Sequence, residues 1–127
     1  MVNTTVLIVD DEAPFIQALA RRLTWRKLKV LSAPGGSEAL DVLENENSID
    51  VVILDVKMPG IDGIDTLRRI KAERPEIEVI MLTGCTSLEI AMEAMRSGAF
   101  DCLMKPCSVE NLCARVVEAR EKKRKRE

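Results

Sequence analysis

The sequence predicts an α/β fold, with a parallel sheet covered by helices on both faces. Three observations carry that expectation. Short apolar runs alternate with stretches of helical spacing, which makes five βα units in order. Turn-forming or polar residues stop each run, as happens at the ends of buried strands. The chain has 127 residues, enough for one domain with one core but not two. Right-handed crossovers are then expected to join the strands.

The first run is Val6-Leu7-Ile8-Val9, which leads into Asp10-Asp11. Ile16, Leu19, Ala20 and Leu23 recur at i, i+3, i+4 and i+7, so residues 13–25 read as a helix. Residues 29–33 form a second strand candidate with a weaker pattern. Pro34-Gly35-Gly36 reads as a loop, and Ser37 is suited to cap a short helix to about residue 44. Val51-Val52-Ile53-Leu54 runs into Asp55. Met58-Pro59-Gly60-Ile61-Asp62-Gly63 is turn-rich. Ile64, Leu67, Ile70 and Lys71 carry a third helix that stops before Pro75. Val79-Ile80-Met81-Leu82 runs into Thr83. Leu88, Ala91 and Met92, followed by Met95, predict the core stripe of a fourth helix that ends at Ser97-Gly98. Ile90, Ala94 and Met95 then lie beyond that stripe and should leave part of this helix apolar and exposed. Cys102-Leu103-Met104 runs into Lys105-Pro106. Val109, Leu112, Cys113, Val116 and Val117 mark a fifth helix, with Ser108 placed to cap it. There are no repeats, low-complexity segments or internal linkers.

Composition removes several functional classes. The net charge is −2, with residues 118–127 at +3 and the remainder at −5. A mildly acidic body with a basic tail does not suggest a nucleic-acid-binding domain. The run Lys122-Lys123-Arg124-Lys125-Arg126 is expected to be a solvated helix end, where cations suit the helix dipole. No apolar stretch approaches the roughly 18–20 residues of a membrane span. The start lacks a basic segment before its apolar run, so no signal peptide is expected and the default is a cytoplasmic protein. The chain has no histidine, which excludes nitrogen-ligated metal sites and Ser-His or Cys-His nucleophile pairs. The spacing of Cys85, Cys102, Cys107 and Cys113 matches no zinc pattern, and reduced thiols are expected. Cys85 reads as an inert small side chain, with a redox-sensitive thiol as the other reading. No P-loop run is present.

The strand ends carry the chemistry. In an open parallel sheet, ligands bind beyond the carboxyl ends of the strands. Asp10, Asp11, Asp55, Thr83 and Lys105 should therefore converge on one rim. Adjacent carboxylates can splay around one ion, and Mg²⁺ prefers oxygen ligands from one or two carboxylates, waters and phosphate. Three clustered carboxylates repel one another, and a divalent cation relieves that repulsion. Taken alone, Asp10-Asp11 suits a helix cap equally well. A carboxylate can also be a nucleophile toward phosphorus and form an acyl phosphate. Lys105 can meet phosphoryl oxygens as a point charge, Thr83 can donate a hydroxyl hydrogen bond, and Gly84 adds an unshielded backbone N–H. Lys105-Pro106 suits a cis bond in a tight turn, with the trans form open.

These motifs resemble the receiver domain of bacterial two-component response regulators. The resemblance rests on Leu7-Ile8-Val9-Asp10-Asp11-Glu12, on Asp55 followed by Met58-Pro59-Gly60-Ile61-Asp62-Gly63, on Met81-Leu82-Thr83-Gly84, and on Gly98-Ala99-Phe100-Asp101 leading to Lys105-Pro106. It covers nearly the whole chain, with residues 1–121 as the receiver domain and 122–127 as a basic tail or the start of a linker. It implies a flavodoxin-like doubly wound (βα)5 three-layer sandwich with strand order 2-1-3-4-5. It implies a switch in which Asp55 accepts a phosphoryl group from a histidine on a sensor kinase. Asp11 and Asp55 would bind Mg²⁺ (or Mn²⁺) directly, Asp10 through water and Lys57 through its backbone carbonyl. Thr83 and Lys105 would hold the phosphoryl oxygens. Phosphorylation would shift an equilibrium of the fourth helix, fifth strand and fifth helix, the face that meets an output domain or effector. Asp101 and Arg115 occupy positions that resembling proteins pair across a phosphorylation-dependent homodimer. The domain itself would bind neither nucleic acid nor membrane. Its chemistry would be stoichiometric phosphotransfer and slow self-hydrolysis.

The chain departs from the family at Cys102, where an aromatic residue is usual three positions before the lysine, and it has no tyrosine. A smaller side chain without consequence and an altered coupling to the output face are both open. Two other readings compete with this one. A phosphohydrolase resembling haloacid dehalogenases would carry a second aspartate where Lys57 stands, alternating aspartates in the first strand and a cap insertion. A pseudo-receiver that works without phosphorylation is opposed by the intact Asp10, Asp11, Asp55, Thr83 and Lys105 set.

Overall fold

The apolar runs form the strands of one parallel sheet. The computed structural model describes residues 4–56, 62–84 and 87–126, with the backbone alone for Arg124 and Arg126. In chain order the elements are β1 (Thr5–Val9), α1 (Ala13–Trp25), β2 (Lys29–Ala33), α2 (Gly36–Asn45), β3 (Val51–Leu54), α3 (Gly63–Glu73), β4 (Glu78–Thr83), α4 (Leu88–Arg96), β5 (Asp101–Met104) and α5 (Val109–Arg126). The sheet order is β2-β1-β3-β4-β5, the expected 2-1-3-4-5. All pairings are parallel.

A parallel sheet covered on both faces makes its central strands apolar throughout, without alternation. β1, β3 and β4 are buried along their whole length for this reason. Alternate residues feed two cores. Leu7, Val9, Val52, Leu54, Val79 and Met81 pack with Ala39, Leu43, Leu67, Ile70 and Ala94, against α2, α3 and α4. Val6, Ile8, Val51, Ile53, Ile80 and Leu82 pack with Leu19, Leu23, Leu112, Val116 and Ala119, against α1 and α5. Burial of one such aliphatic side chain contributes roughly 1.5–3 kcal/mol by transfer from water.

Three caps match the sequence chemistry. Asp62 Oδ1 accepts from Asp65 N–H at 2.9 Å to start α3. Ser87 Oγ accepts from Ile90 N–H at 3.1 Å to start α4. Ser108 Oγ accepts from Asn111 N–H at 3.0 Å to start α5, as expected. Ser37 does not play its expected part. α2 begins two residues earlier, at Gly36, with Gly35 in the cap position and no side-chain cap bond, so Ser37 lies inside the first turn.

α4 presents a different face from the expected one. Ala94 is buried and Ile90 packs against the core, whereas Leu88 is 76% exposed and Met92 and Met95 about half exposed. Apolar residues lie on several sides of this helix, so spacing alone admits more than one phase. The Ser87 cap and the packing partner select the phase. Gly98 ends the turn after α4 with φ +106°, and a Cβ there would sit 3.2 Å from the Lys71 stem. Arg68 of α3 ties the two helices, with Nη2 3.1 Å from Glu93 and Nε donating to Ser97 Oγ at 3.2 Å.

The basic end of α5 is also more than a solvated tail. At the edge of the sheet opposite the candidate site, Asp50 Oδ2 accepts from Thr5 N–H at 2.9 Å. Its other oxygen lies 3.1 Å from Lys123 Nζ and 3.3 Å from Arg120 Nε. Fully buried Glu78 lies 3.6 Å from Lys71 and 3.8 Å from Lys122. Removing one partner of a buried pair costs roughly 3–5 kcal/mol, more than one aliphatic side chain contributes. The buried pairs of Asp50 with Arg120 and Lys123 therefore clamp the last turns of α5 to the sheet.

Candidate functional site

Register brings the first two carboxylate positions together. Val9 pairs with Leu54, so the next residues, Asp10 and Asp55, leave the sheet side by side. Asp10 N–H donates to Ala33 O at 3.2 Å and Asp55 N–H donates to Val9 O at 3.0 Å, which extends both ladders one residue past the strands. Asp10 and Asp55 are buried and Asp11 is exposed. One carboxylate oxygen from each of the three lies within 4.8 Å of the others. Three hard oxygen donors at that separation suit a Mg²⁺ or Mn²⁺ ion, which also relieves their mutual repulsion.

The start of α3 closes over the exit of β3. Gly63 N–H donates to Val56 O at 2.8 Å. A Cβ at Gly63 would lie 2.2 Å from Asp55 O and 2.6 Å from Val56 Cα, both backbone atoms. Only glycine permits this approach. The motif that ends in Gly63 thus has a packing reason that the sequence did not disclose. At Gly84 a Cβ would meet nothing within 4 Å, so that glycine leaves open space beside Thr83.

Lys105 follows β5, and its backbone N–H donates to Thr83 O at 2.9 Å, which holds it beside buried Thr83. The Lys105–Pro106 bond is cis. Lys105 Nζ donates to Asp10 Oδ2 at 2.8 Å and to Glu12 Oε1 at 3.3 Å. It also stands 4.1 Å from the centroid of the Phe15 ring. Burial by itself pushes the ammonium group down, but hydrogen bonding and charge from Asp10, with Asp55 and Glu12, hold it above the usual lysine range. Asp10 Oδ1 accepts from Glu12 N–H at 2.9 Å, so one buried carboxylate organises both the lysine and the entry to α1.

The rim therefore gathers Asp10, Asp11, Asp55 and Lys105, with Thr83 bonded to the lysine backbone. Lys57 lies outside the described residues, as do Met58-Pro59-Gly60-Ile61 and Cys85. Glu12 and Phe15 were not anticipated as partners of Lys105. Their spacing was a usable signal, because residues three apart at the start of a helix leaving the rim share a face. Cys102 lies half-buried on β5.

The description of the response regulator receiver domain family matches residues 6–117. This chain belongs to that family. The receiver domain resembles several named proteins. It is 38% identical over 117 residues to the transcriptional regulatory protein ZraR of Escherichia coli K12, covering 92% of this chain and 26% of that protein. It thus spans about a quarter of that relative's length. A solved response regulator receiver domain from Clostridium thermocellum superposes with a TM-score of 0.92 at 39% identity, covering 98% of this chain and 99% of the other. A solved BeF3-activated DrrB receiver domain superposes with a TM-score of 0.83 at 32% identity, covering 94% and 99%. The function class is accordingly that of a signalling switch in two-component systems. Among the described residues no helix is long and apolar enough to cross a membrane.

Proposed function

We propose that this receiver domain is switched by transfer of a phosphoryl group from a histidine kinase to Asp55, in a reaction that requires a divalent cation. The observation that carries this is the meeting of Asp10, Asp11 and Asp55 oxygens within 4.8 Å at a rim that also holds Lys105. Asp11 and Asp55 would hold Mg²⁺ or Mn²⁺ directly, Asp10 through water, and Lys57 through its carbonyl. The ion supplies charge neutralisation between carboxylates and phosphoryl oxygens. An Asp55 carboxylate oxygen attacks phosphorus. The phosphorus–nitrogen bond of the phosphohistidine breaks, and its electron pair returns to the imidazole. Lys105 and Thr83 hold two phosphoryl oxygens as charge moves onto them. Water later cleaves the acyl phosphate and restores Asp55, so the transfer is stoichiometric. The output is read on the face of α4, β5 and α5 by an effector or a further domain, in the cytoplasm. The twenty-six per cent coverage of the ZraR relative leaves room for such a domain in proteins of this kind.

The test is incubation with a small acyl phosphate and Mg²⁺. One base-labile phosphoryl group should add to the wild-type chain, and none to Asp55→Asn or in chelator. A wild-type level of labelling in Asp55→Asn would show that another residue is the acceptor.

A further inference from the structure

Lys105 Nζ carries three N–H donors. Two go to carboxylates, Asp10 at 2.8 Å and Glu12 at 3.3 Å. The ammonium also stands over the Phe15 ring, 4.1 Å from its centroid and well inside the ~6 Å range of a cation–π contact. The partners differ in kind. Asp10 is buried, whereas the Glu12 side chain is 64% exposed and its bond is the longer one. Phe15 is half-buried, on a groove of about 90 Å³ that it lines with Leu19, Leu82, Lys105 and Leu112.

From this geometry we infer that Phe15 is a positioning residue for Lys105, and that Glu12 occupies the donor which a phosphoryl oxygen takes over. The inference rests on the phosphoacceptor reading above. A flexible four-carbon stem leaves an ammonium group many positions. The aromatic face limits them without offering a competing acceptor, so the ring stays in place while hydrogen bonds are exchanged. Glu12 is the partner most easily released, being exposed and the farther of the two carboxylates. The lysine then turns from Glu12 to the phosphoryl oxygen, and Phe15 holds it within reach of Asp55. Leucine at position 15 keeps the apolar contact with the groove but lacks the quadrupole. Tyrosine and tryptophan keep both.

The experiment titrates beryllofluoride at saturating Mg²⁺ into wild type, Phe15→Leu, Phe15→Tyr, Phe15→Trp and Glu12→Gln. No kinase is present, so the titration reads binding at the rim alone. Phe15→Leu should raise the half-saturating concentration by roughly threefold or more, and the two aromatic variants should stay near wild type. Glu12→Gln should lower it by about twofold, the scale of an exposed ion pair. A second arm measures melting of the metal-free protein for Phe15→Leu, Lys105→Met and the double variant, and expects the two single effects to be non-additive. Equal weakening by leucine, tyrosine and tryptophan, or full additivity, would overturn the role of Phe15. An unchanged or weaker affinity in Glu12→Gln would overturn that of Glu12. If the wild-type chain takes up no beryllofluoride, the phosphoacceptor reading fails and the role of Glu12 with it. The metal-free cycle then decides the ring contact independently.

Discussion

Single residues at the rim show how little freedom the site has. Gly63 cannot carry a side chain, because a Cβ would overlap the backbone of Asp55 and Val56. Asp10 cannot lose its carboxylate without releasing both Lys105 and the N–H of Glu12. Cys102 lies half-buried on β5, three positions before Lys105. Burial raises its thiol pKa, and the neighbouring Asp101 carboxylate raises it further. A raised thiol pKa means less thiolate at neutral pH. We therefore predict that Cys102 alkylates more slowly in the folded chain than in urea, and that its rate keeps climbing past the pH where a free cysteine levels off. Mass mapping of alkylated peptides across pH checks this. Alkylation of Cys102 at neutral pH as fast as in the unfolded chain would contradict it.

At the level of elements, α4 joins two demands. Its inner face, Ile90 and Ala94, packs on the sheet, and Arg68 ties its far end to α3 through Glu93 and Ser97. Its outer face leaves Leu88, Met92 and Met95 in solvent, with Met104 of β5 and Val117 of α5 also exposed. Where such residues form one contiguous patch, they suit an interaction surface. Surface ion pairs such as that of Arg68 contribute at most about 1 kcal/mol each, so they bias the position of α4 without locking it. Phosphorylation is expected to promote self-association, or docking of an output partner, through α4, β5 and α5. Arg115 pairs with Glu118 at 2.8 Å, Asp101 accepts from Cys102 N–H at 2.8 Å, and both residues are partly exposed. Sedimentation of the free and beryllofluoride-bound forms should show a heavier species only in the latter, and Arg115→Glu should remove it. A monomeric bound form with unchanged amide exchange in all three elements would refute the switch.

The whole molecule places a repulsive cluster at one edge of its sheet and an attractive one at the other. Asp10, Asp11 and Asp55 crowd together at the rim, while Asp50 and Glu78 are matched by Arg120, Lys123, Lys71 and Lys122 at the base. Folding therefore works against charge among the three rim carboxylates, offset in part by Lys105, and is helped by charge at the base. A cation that binds only the folded rim stabilises by mass action, about 2.7 kcal/mol at a hundred times its dissociation constant. Mg²⁺ should accordingly raise the melting temperature. Asp11→Ala should weaken that response and raise the metal-free melting temperature by a few degrees, because it relieves repulsion. Calorimetry with and without Mg²⁺ checks both. An undiminished Mg²⁺ response in Asp11→Ala would place the ion elsewhere.

The sequence by itself determined the five βα units, because a strand buried on both faces must be a continuous apolar run and a covering helix must repeat near 3.6 residues. It also placed Asp10, Asp55, Thr83 and Lys105 at strand ends, since side chains able to bind an ion and a phosphoryl group there interrupt the runs. Local chemistry was equally legible at Ser108, where a hydroxyl before an apolar stripe makes a cap. Tertiary structure alone decided which side of α4 faces the sheet, because residues 88–95 are apolar on several sides and only the packing partner breaks the tie. It alone turned Lys123 from tail into clamp, because an ion pair between residues 50 and 123 leaves no trace in spacing. It alone brought Glu12 and Phe15 to Lys105, more than ninety positions away from Glu12. Periodicity reports on neighbours along the chain. The direction of a long side chain depends on which charges and rings the fold has already brought within its reach.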